Sequence, residues 1–312
     1  MQARNNPFLA RLNATAQDIE NLLDRLISDA PAEGEIRRPG RVVEAMRYAA
    51  LGGGKRFRPF LVAECAVLFE VPRARALMAG AALECVHCYS LVHDDLPAMD
   101  NDTLRRGQPT AHKKFDEATA ILAGDGLLTF AFDIMSRPQT HPDEAVRVKL
   151  VSGLARAAGF GGMVGGQMLD LAAEGRFAGK SPQRLNEDAV RTLQAMKTGA
   201  LLRFACEAGG ILGLAKGPQR KALERYGAAV GQAFQIADDL LDFEGDPALV
   251  GKETGKDAVA GKATIVGILG AAGARAQLQQ LIAEAERALA PLFGSAAAIL
   301  IEGAKFVADR HA

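Results

Sequence analysis

Apolar residues recur at intervals of three and four along almost the whole chain, and convincing period-2 alternation is missing. The pattern predicts helices near 14–29, 41–50, 59–69, 74–96, 115–135, 143–157, 161–175, 185–214, 218–243, 274–291 and 295–309. Breaks at 31–34, 52–54, Pro72, 138–142, 181–182 and 217–218 each supply a turn or a cap. None is long or polar enough for an interdomain linker. The expectation is one large all-α domain over 1–312. Segments 118–132 and 226–243 are apolar on nearly every side, which suits a central helix or a subunit interface. The exception is 245–263, GDPALVGKETGKDAVAGKA, which is rich in Gly and Lys and reads as a flap over a charged ligand.

Composition changes this picture little. The 37 basic residues balance 37 acidic ones, so no long-range field points to nucleic acid or a membrane surface as partner. The amphipathic N-terminal helix carries Asp18, Glu20 and Asp24, which argues against a transit peptide, and it has no apolar signal-peptide run. No stretch reaches the ~18 uninterrupted apolar residues of a spanning helix. Cys65, Cys85, Cys88 and Cys206 then read as reduced thiols of a cytoplasmic protein. Cys85 and Cys88 form C-x-x-C, but within a continuous helical pattern and without a second pair, so core packing is the better reading.

Charge is concentrated in short clusters. DDLPAMD at 94–100 and DDLLD at 238–242 each end a long apolar helical pattern. Their six carboxylates cannot crowd one region without counter-charge, since like charges a few Å apart repel and raise each other's pKa. Hard divalent cations with oxygen ligands, Mg²⁺ above all, relieve that repulsion and carry phosphate oxygens on their remaining positions. On a helix Gln235, Asp238 and Asp242 share one stripe, with Asp239 about 100° round. In a straight helix Asp94 and Asp100 diverge by about 120°, but Pro97 must break the helix, which lets Asp100 return beside Asp94. His87 lies on the Asp94 face, two turns back.

The matching cations lie in GGGKRFRP at 52–59 and LRRG at 104–107. The first offers a glycine turn, Lys55, Arg56 and Arg58, and Pro59 at the start of a helix, a ready anion site. Arg105 and Arg106 follow the first acid cluster directly, and arginine suits bidentate phosphate contacts.

Taken together, ECVHCYSLVHDDLPAMDNDTLRRGQPTAH at 84–112, GGKRFRP at 53–59, MKTGAL at 196–201 and GQAFQIADDLLDFEGDPALVGKETGKD at 231–257 resemble the trans-isoprenyl diphosphate synthases, most closely the bacterial farnesyl diphosphate synthases. The resemblance spans almost the whole chain. It implies the isoprenoid synthase fold, a bundle of mostly antiparallel helices around a deep central cavity, working as a homodimer. It implies isopentenyl diphosphate and an allylic diphosphate as substrates. It also implies about three Mg²⁺ per active site, with Mn²⁺ able to substitute, held by Asp94, Asp100 and Asp238 with Asp95, Asp239 and Asp242 near or within the shell. By the same resemblance Lys55, Arg58, His87 and Arg106 bind isopentenyl diphosphate. Arg105, Lys197 and Lys252, with Lys262 more weakly, neutralise the allylic diphosphate, and Thr198 and Gln235 present neutral oxygens to the carbocation. Tyr89, five residues before the first aspartate and followed by the small Ser90, falls at the floor of the chain-growth channel. An aromatic there, with the two-residue insertion at Pro97-Ala98, implies a fifteen-carbon product ahead of twenty or ten carbons.

Rival readings lack parts. Glu84-x-x-His87 suits a di-iron bundle, but no second E-x-x-H exists. A terpene cyclase has no second diphosphate to hold, and so no need of GGKRFRP or Arg106. A non-catalytic helical subunit is expected to have lost one acid cluster, and both are intact.

Overall fold

The computed structural model describes residues 6–177, 181–183, 185–244 and 264–309, and the fold is all-α. The helices are α1 (Pro7–Leu26), α2 (Gly40–Ala50), α3 (Phe57–Val67), α4 (Arg73–Asp94), α5 (Ala111–Lys114), α6 (Glu117–Ser136), α7 (Glu144–Ala158), α8 (Met163–Ala173), α9 (Glu187–Gln194), α10 (Ala200–Leu212), α11 (Gly217–Glu244), α12 (Ile265–Phe293) and α13 (Ala298–Ala308). They form two compact units. One comprises the residues up to Val67 with Val71–Val151, the other those from Ser152 onward with Leu68–Glu70.

In the first unit α4 is the central element. Ala, Gly and Leu dominate it, and residues on all its sides are buried, from Ala76 through Leu83 to Val92. It packs on α1, α2, α3 and α6. Small side chains allow close approach, and Gly80 lies where a Cβ would stand 3.1 Å from Pro59. The α6 stripe Ala120, Ala123, Gly124, Leu127, Ala131 and Ile134 repeats at three and four and is buried. In the second unit α11 packs on α10, α12 and α13. Tyr226, fully buried, ties α11 to α13 by donating its hydroxyl to the Leu300 carbonyl at 2.6 Å.

Two helices begin earlier than the apolar pattern predicts. The first starts at Pro7 rather than 14, because the Asn6 side chain accepts from the N–H groups of Phe8 and Leu9 and proline fits the first helical position. Phe8 then meets Phe60 edge-on at 5.3 Å. Similarly, α12 starts at Ile265 rather than 274, capped by the Thr264 hydroxyl and interrupted at Gly270, whose φ of 69° breaks the helix. The four cysteines are free and buried, and burial pushes the Cys88 thiol up to about 12, as a packing role requires.

Two segments, α6 and 265–308, have the length and mean hydropathy of a membrane span. Core helices meet that criterion too. Here α6 buries one stripe and carries exposed Asp125 and Asp133 on the other, and the second segment is broken at Gly270 and by a 3₁₀ turn at Gly294–Ala297.

Arg56 is not part of the exposed basic patch that GGGKRFRP suggests. It is only 3% exposed and donates to Glu84 at 2.7 Å, Glu20 at 2.6 Å and the Ala50 carbonyl at 2.6 Å. Burial opposes its charge, and the field of Glu84 together with hydrogen bonds to both carboxylates outweighs that opposition. Glu84 is thereby committed to an ion pair rather than to the ligand set of a di-iron motif. Removing one partner of a buried pair strands the other charge. Glu84→Ala should therefore lower stability by about 3–5 kcal/mol in urea unfolding; a loss below about 1 kcal/mol would show that Glu20 alone satisfies Arg56.

Candidate active site

The first acid cluster forms where Pro97 ends α4. Asp94 is the last residue of the helix, and the chain then turns back on itself. The Asp100 N–H donates to the Asp94 carbonyl at 2.8 Å, and the Asn101 N–H to the Leu96 carbonyl at 3.1 Å, with Asn101 at a φ of 54°. The return of Asp100 to Asp94, expected from Pro97, is thus a hydrogen-bonded fact of the backbone. A small apolar cluster of Val92, Leu96, Ala111 and Ala120 lies beneath the turn and fixes it to α5 and α6.

The three carboxylates of the cluster have different fates. Asp94 is half-buried and Asp100 exposed, whereas Asp95 is 3% exposed and grips Arg105. Both Nε and Nη2 of Arg105 donate to it, the former at 3.0 Å, and Nη2 also reaches Asp102 at 3.3 Å. Burial raises the Asp95 carboxyl, with smaller contributions from the charges of Asp102 and Asp100, and Arg105 opposes that rise.

Residues 104–109 form a two-stranded hairpin, too short for sequence alternation to reveal. Leu104 pairs with Pro109 and Arg105 with Gln108. Its turn residues Arg106 and Gly107 both have positive φ, 53° and 76°, as the tightest hairpin turns require. The two arginines diverge. While Arg105 reaches Asp95, Arg106 donates to the Gly53 carbonyl. A Cβ on Gly54, at a φ of 119°, would meet the Arg106 guanidinium at 2.8 Å. The glycine turn and the hairpin, 50 residues apart in sequence, therefore meet through Arg106. Between them and α4 lies a cavity of about 510 Å³ whose lining includes Gly52, Gly53, Asp95, Arg105 and Arg106.

Lys55 is exposed at this end, and Arg58 and His87 are half-buried. Burial, then the positive fields of Arg58 and Arg106, hold the His87 imidazole well below the usual histidine range. Three residues expected to act together are thus within electrostatic reach of one another. On the same helix Tyr89 is buried, and burial and the nearby Asp94 charge push its phenol up to about 12. Half-buried Ser90 turns its hydroxyl to the His87 carbonyl at 2.8 Å.

In the second unit, α11 presents Gln235, Asp238 and Asp242 half-buried along one stripe. Asp239 is different, at 4% exposed. It accepts from Gln194 at 2.9 Å, from Gln235 at 2.9 Å and from the Ile265 N–H at 3.2 Å, joining α9, α11 and α12. Gln235 in turn accepts from the Thr198 hydroxyl at 2.9 Å. Thr198 and Lys197 sit in a π-helical stretch, Ala195–Gly199, a distortion frequent at functional sites. Two glycines flank it. A Cβ on Gly166 of α8 would run into the Lys197 backbone, and one on Gly231 of α11 would lie 3.0 Å from the Gly199 Cα. Lys197 donates to Asp170 at 2.5 Å. Asp170 and Gln194 were missed by sequence reasoning. A lone carboxylate in the apolar run MVGGQMLDLAA was the available signal for the former. Lys252 and Lys262, with the predicted flap, lie outside the described residues.

Among the described residues no three His, Cys, Asp or Glu groups form a ready metal cage. In each cluster the half-buried or exposed carboxylates, Asp94 and Asp100 in the first and Asp238 and Asp242 in the second, offer oxygen donors only. That donor set fits a hard cation completing its coordination with phosphate oxygens and water, and not a transition metal seeking imidazole or thiolate.

An all-α protein with acid clusters at helix ends and arginines around a cavity has the character of the enzymes that handle diphosphates. The sequence matches the polyprenyl synthetase family over residues 40–291, and the chain belongs to that family, the trans-isoprenyl diphosphate synthases. It is 43% identical over 287 residues to the farnesyl diphosphate synthase of Escherichia coli, covering 91% of this chain and 92% of that one. It is 40% identical over 277 residues to the chloroplastic geranylgeranyl pyrophosphate synthase 9 of Arabidopsis thaliana, covering 88% and 75%. The apo crystal structure of an FPP/GFPP synthase from Zymomonas mobilis superposes with a TM-score of 0.84 at 44% identity, covering 96% of this chain and 98% of that one.

The His87 environment gives a direct test. A depressed histidine pKa means that the neutral form persists below pH 6.5, and any stability it carries is full above that pH and lost only as pH falls toward the lower folded value. Its NMR ring-proton signals should show no titration between pH 6 and 8. A midpoint near 6.5 would place the imidazole outside the arginine field.

Proposed function

We propose that this short-chain trans-prenyltransferase condenses isopentenyl diphosphate with dimethylallyl diphosphate, then with geranyl diphosphate, and stops at farnesyl diphosphate. The observation that carries the reading is the junction of Arg106 with the Gly53–Gly54 turn beside Arg105. It sets Arg106 and the glycine turn around a cavity beside the first acid cluster, as an enzyme with two diphosphate substrates needs and a cyclase does not. The family match from 40 to 291 crosses both compact units and supports a single catalytic domain.

In this reading Asp94, Asp100, Asp238 and Asp242 hold Mg²⁺, while Asp95 and Asp239 brace them from behind. Bound magnesium supplies counter-charge and Lewis acidity to the departing diphosphate. Arg105 and Lys197, joined by Lys252, neutralise charge as the allylic C–O bond breaks. Lys197 passes from Asp170 to the phosphate, an exchange of one charged acceptor for another. Thr198 and Gln235 face the allylic cation with neutral oxygens, which stabilise it without capturing it. Lys55, Arg58, His87 and Arg106 hold isopentenyl diphosphate so that its double bond attacks C1 of the cation. The proton then lost from C2 goes to the released diphosphate, so no histidine or glutamate base is needed. Tyr89 closes the channel at fifteen carbons. The exposed Ile121 and Leu122 on α6 support a homodimer, and four reduced cysteines support a cytoplasmic location.

Purified protein with radiolabelled isopentenyl diphosphate and each allylic primer should give a fifteen-carbon product, abolished by EDTA and restored by Mg²⁺. No chain growth with any primer would remove the enzymatic reading. A product already at twenty carbons would leave the chemistry and overturn the length assignment.

The division of the basic residues is separately testable by steady-state kinetics. Arg58→Ala should chiefly raise KM for isopentenyl diphosphate, while Lys197→Ala should chiefly lower kcat. Each lost charge-assisted contact should cost about 1.5–3 kcal/mol, roughly ten- to a hundredfold. Equal loss of affinity for the same single substrate in both variants would contradict separate sites.

A further inference from the structure

Tyr89 is not an isolated stopper. Its ring meets the imidazole of His93, one turn further along α4, edge-on, with centroids 5.7 Å apart and planes at 80°. That imidazole lies in turn against α6. Its Nε2 is 3.1 Å from the backbone oxygen of Ile121 and 3.9 Å from a carboxylate oxygen of Asp125. It also occupies the space where a Cβ at position 124 would stand, for the three atoms nearest that point all belong to the His93 ring. Gly124 sits within the buried stripe of α6. The imidazole fills the gap the glycine leaves and presents its face or edge to Tyr89.

We propose that His93, seated on Gly124, is a positioning residue for product length: it holds the Tyr89 ring in place, so that a three-residue stack and not the bulk of residue 89 alone stops the chain. The inference rests on the reading of Tyr89 as the channel floor. A tyrosine on a cavity wall swings about two soft torsions, and each added isoprene unit brings apolar surface that favours displacing it. With its ring against His93, such a swing must break an aromatic contact or move the imidazole. On its α6 side the imidazole is backed by Gly124 and the Ile121 carbonyl, so it cannot yield in that direction. The floor is thereby referenced to α6 and, through the next residue, to Asp94. Ring geometry, and not the tyrosine hydroxyl, makes the contact.

The experiment compares Tyr89→Ala, Tyr89→Phe, His93→Ala, Gly124→Ala and the His93→Ala/Gly124→Ala double variant. Product lengths are read with geranyl diphosphate as primer, and kcat/KM with farnesyl diphosphate offered as primer. Tyr89→Ala should lengthen the product, and Tyr89→Phe should leave its length alone. His93→Ala should shift product toward twenty carbons and raise kcat/KM for farnesyl diphosphate about tenfold relative to geranyl diphosphate. Alanine at 124 suits a helix interior, so its effect should come from the clash with His93. It should change the fifteen-to-twenty-carbon ratio in the His93 background and have no effect on that ratio in His93→Ala, where the methyl group has space. Loss of general packing would lower turnover without this dependence. If His93→Ala does not fold by circular dichroism, His93→Asn, which keeps a donor for the Ile121 carbonyl but lacks the ring, is read on the same scale. An unchanged product ratio in the folded His93 variant, with Tyr89→Ala lengthened, overturns the role of His93 and leaves the floor. A Tyr89→Ala product still at fifteen carbons removes the floor and the proposal together.

Discussion

A charge can leave water only if the protein supplies a partner for it, and that constraint organises every motif in this chain. Each charged cluster is divided into members that face inward, paired, and members left nearer solvent. In DDLPAMD the inward member is Asp95, clamped by Arg105. In DDLLD it is Asp239, with three donors from three helices. In GGGKRFRP it is Arg56, between Glu84 and Glu20. The inward members fix the backbone that carries their neighbours. Asp94, Asp238 and Arg58 are positioned because the residue beside or near each is immobilised. A doublet of like charges is otherwise an electrostatic liability, and here burial of one member with its own counter-charge separates the two roles.

Close approach at glycine is the second device, and it acts on functional side chains more than on the core. Arg106 lies over Gly54, and the Lys197 backbone lies against Gly166. In both cases a charged group expected at a phosphate is set by what a neighbouring element lacks. An alanine at either place would push the group away from the position its own helix or turn gives it. Length and hydropathy alone therefore say little about such helices. Their small residues mark where another element must come within van der Waals contact.

Much of this was legible beforehand, for identifiable reasons. Period 3.6 is a local property, so α2, α3, α4, α6, α7, α8 and α11 lie close to their expected spans, while the span expected over 185–214 is divided into α9, the π-helical stretch and α10. The return of Asp100 follows from one proline's missing N–H. What escaped the sequence was non-local. The start of α1 depends on an asparagine cap and on Phe60, and the hairpin at Arg106-Gly107 is too short to leave a periodic trace. Arg56 is indistinguishable from Lys55 and Arg58 in a charge run. Only the positions of Glu20 and Glu84 on other helices divert it inward. Asp170 was likewise visible only as an acid in an apolar helix, with no indication that a lysine 27 residues on would meet it.

The same logic explains why the acid clusters tolerate their own repulsion before any ligand arrives. In the first cluster Arg105 touches both Asp95 and Asp102. One fixed guanidinium therefore lowers the negative charge of the turn while leaving Asp94 and Asp100 nearer the solvent. In the second, two side-chain amides and a backbone N–H donate to Asp239 and hold it to α9, α11 and α12. Lys197, in the π-helical stretch, is bonded to Asp170 of α8, so its charge too comes with a carboxylate partner.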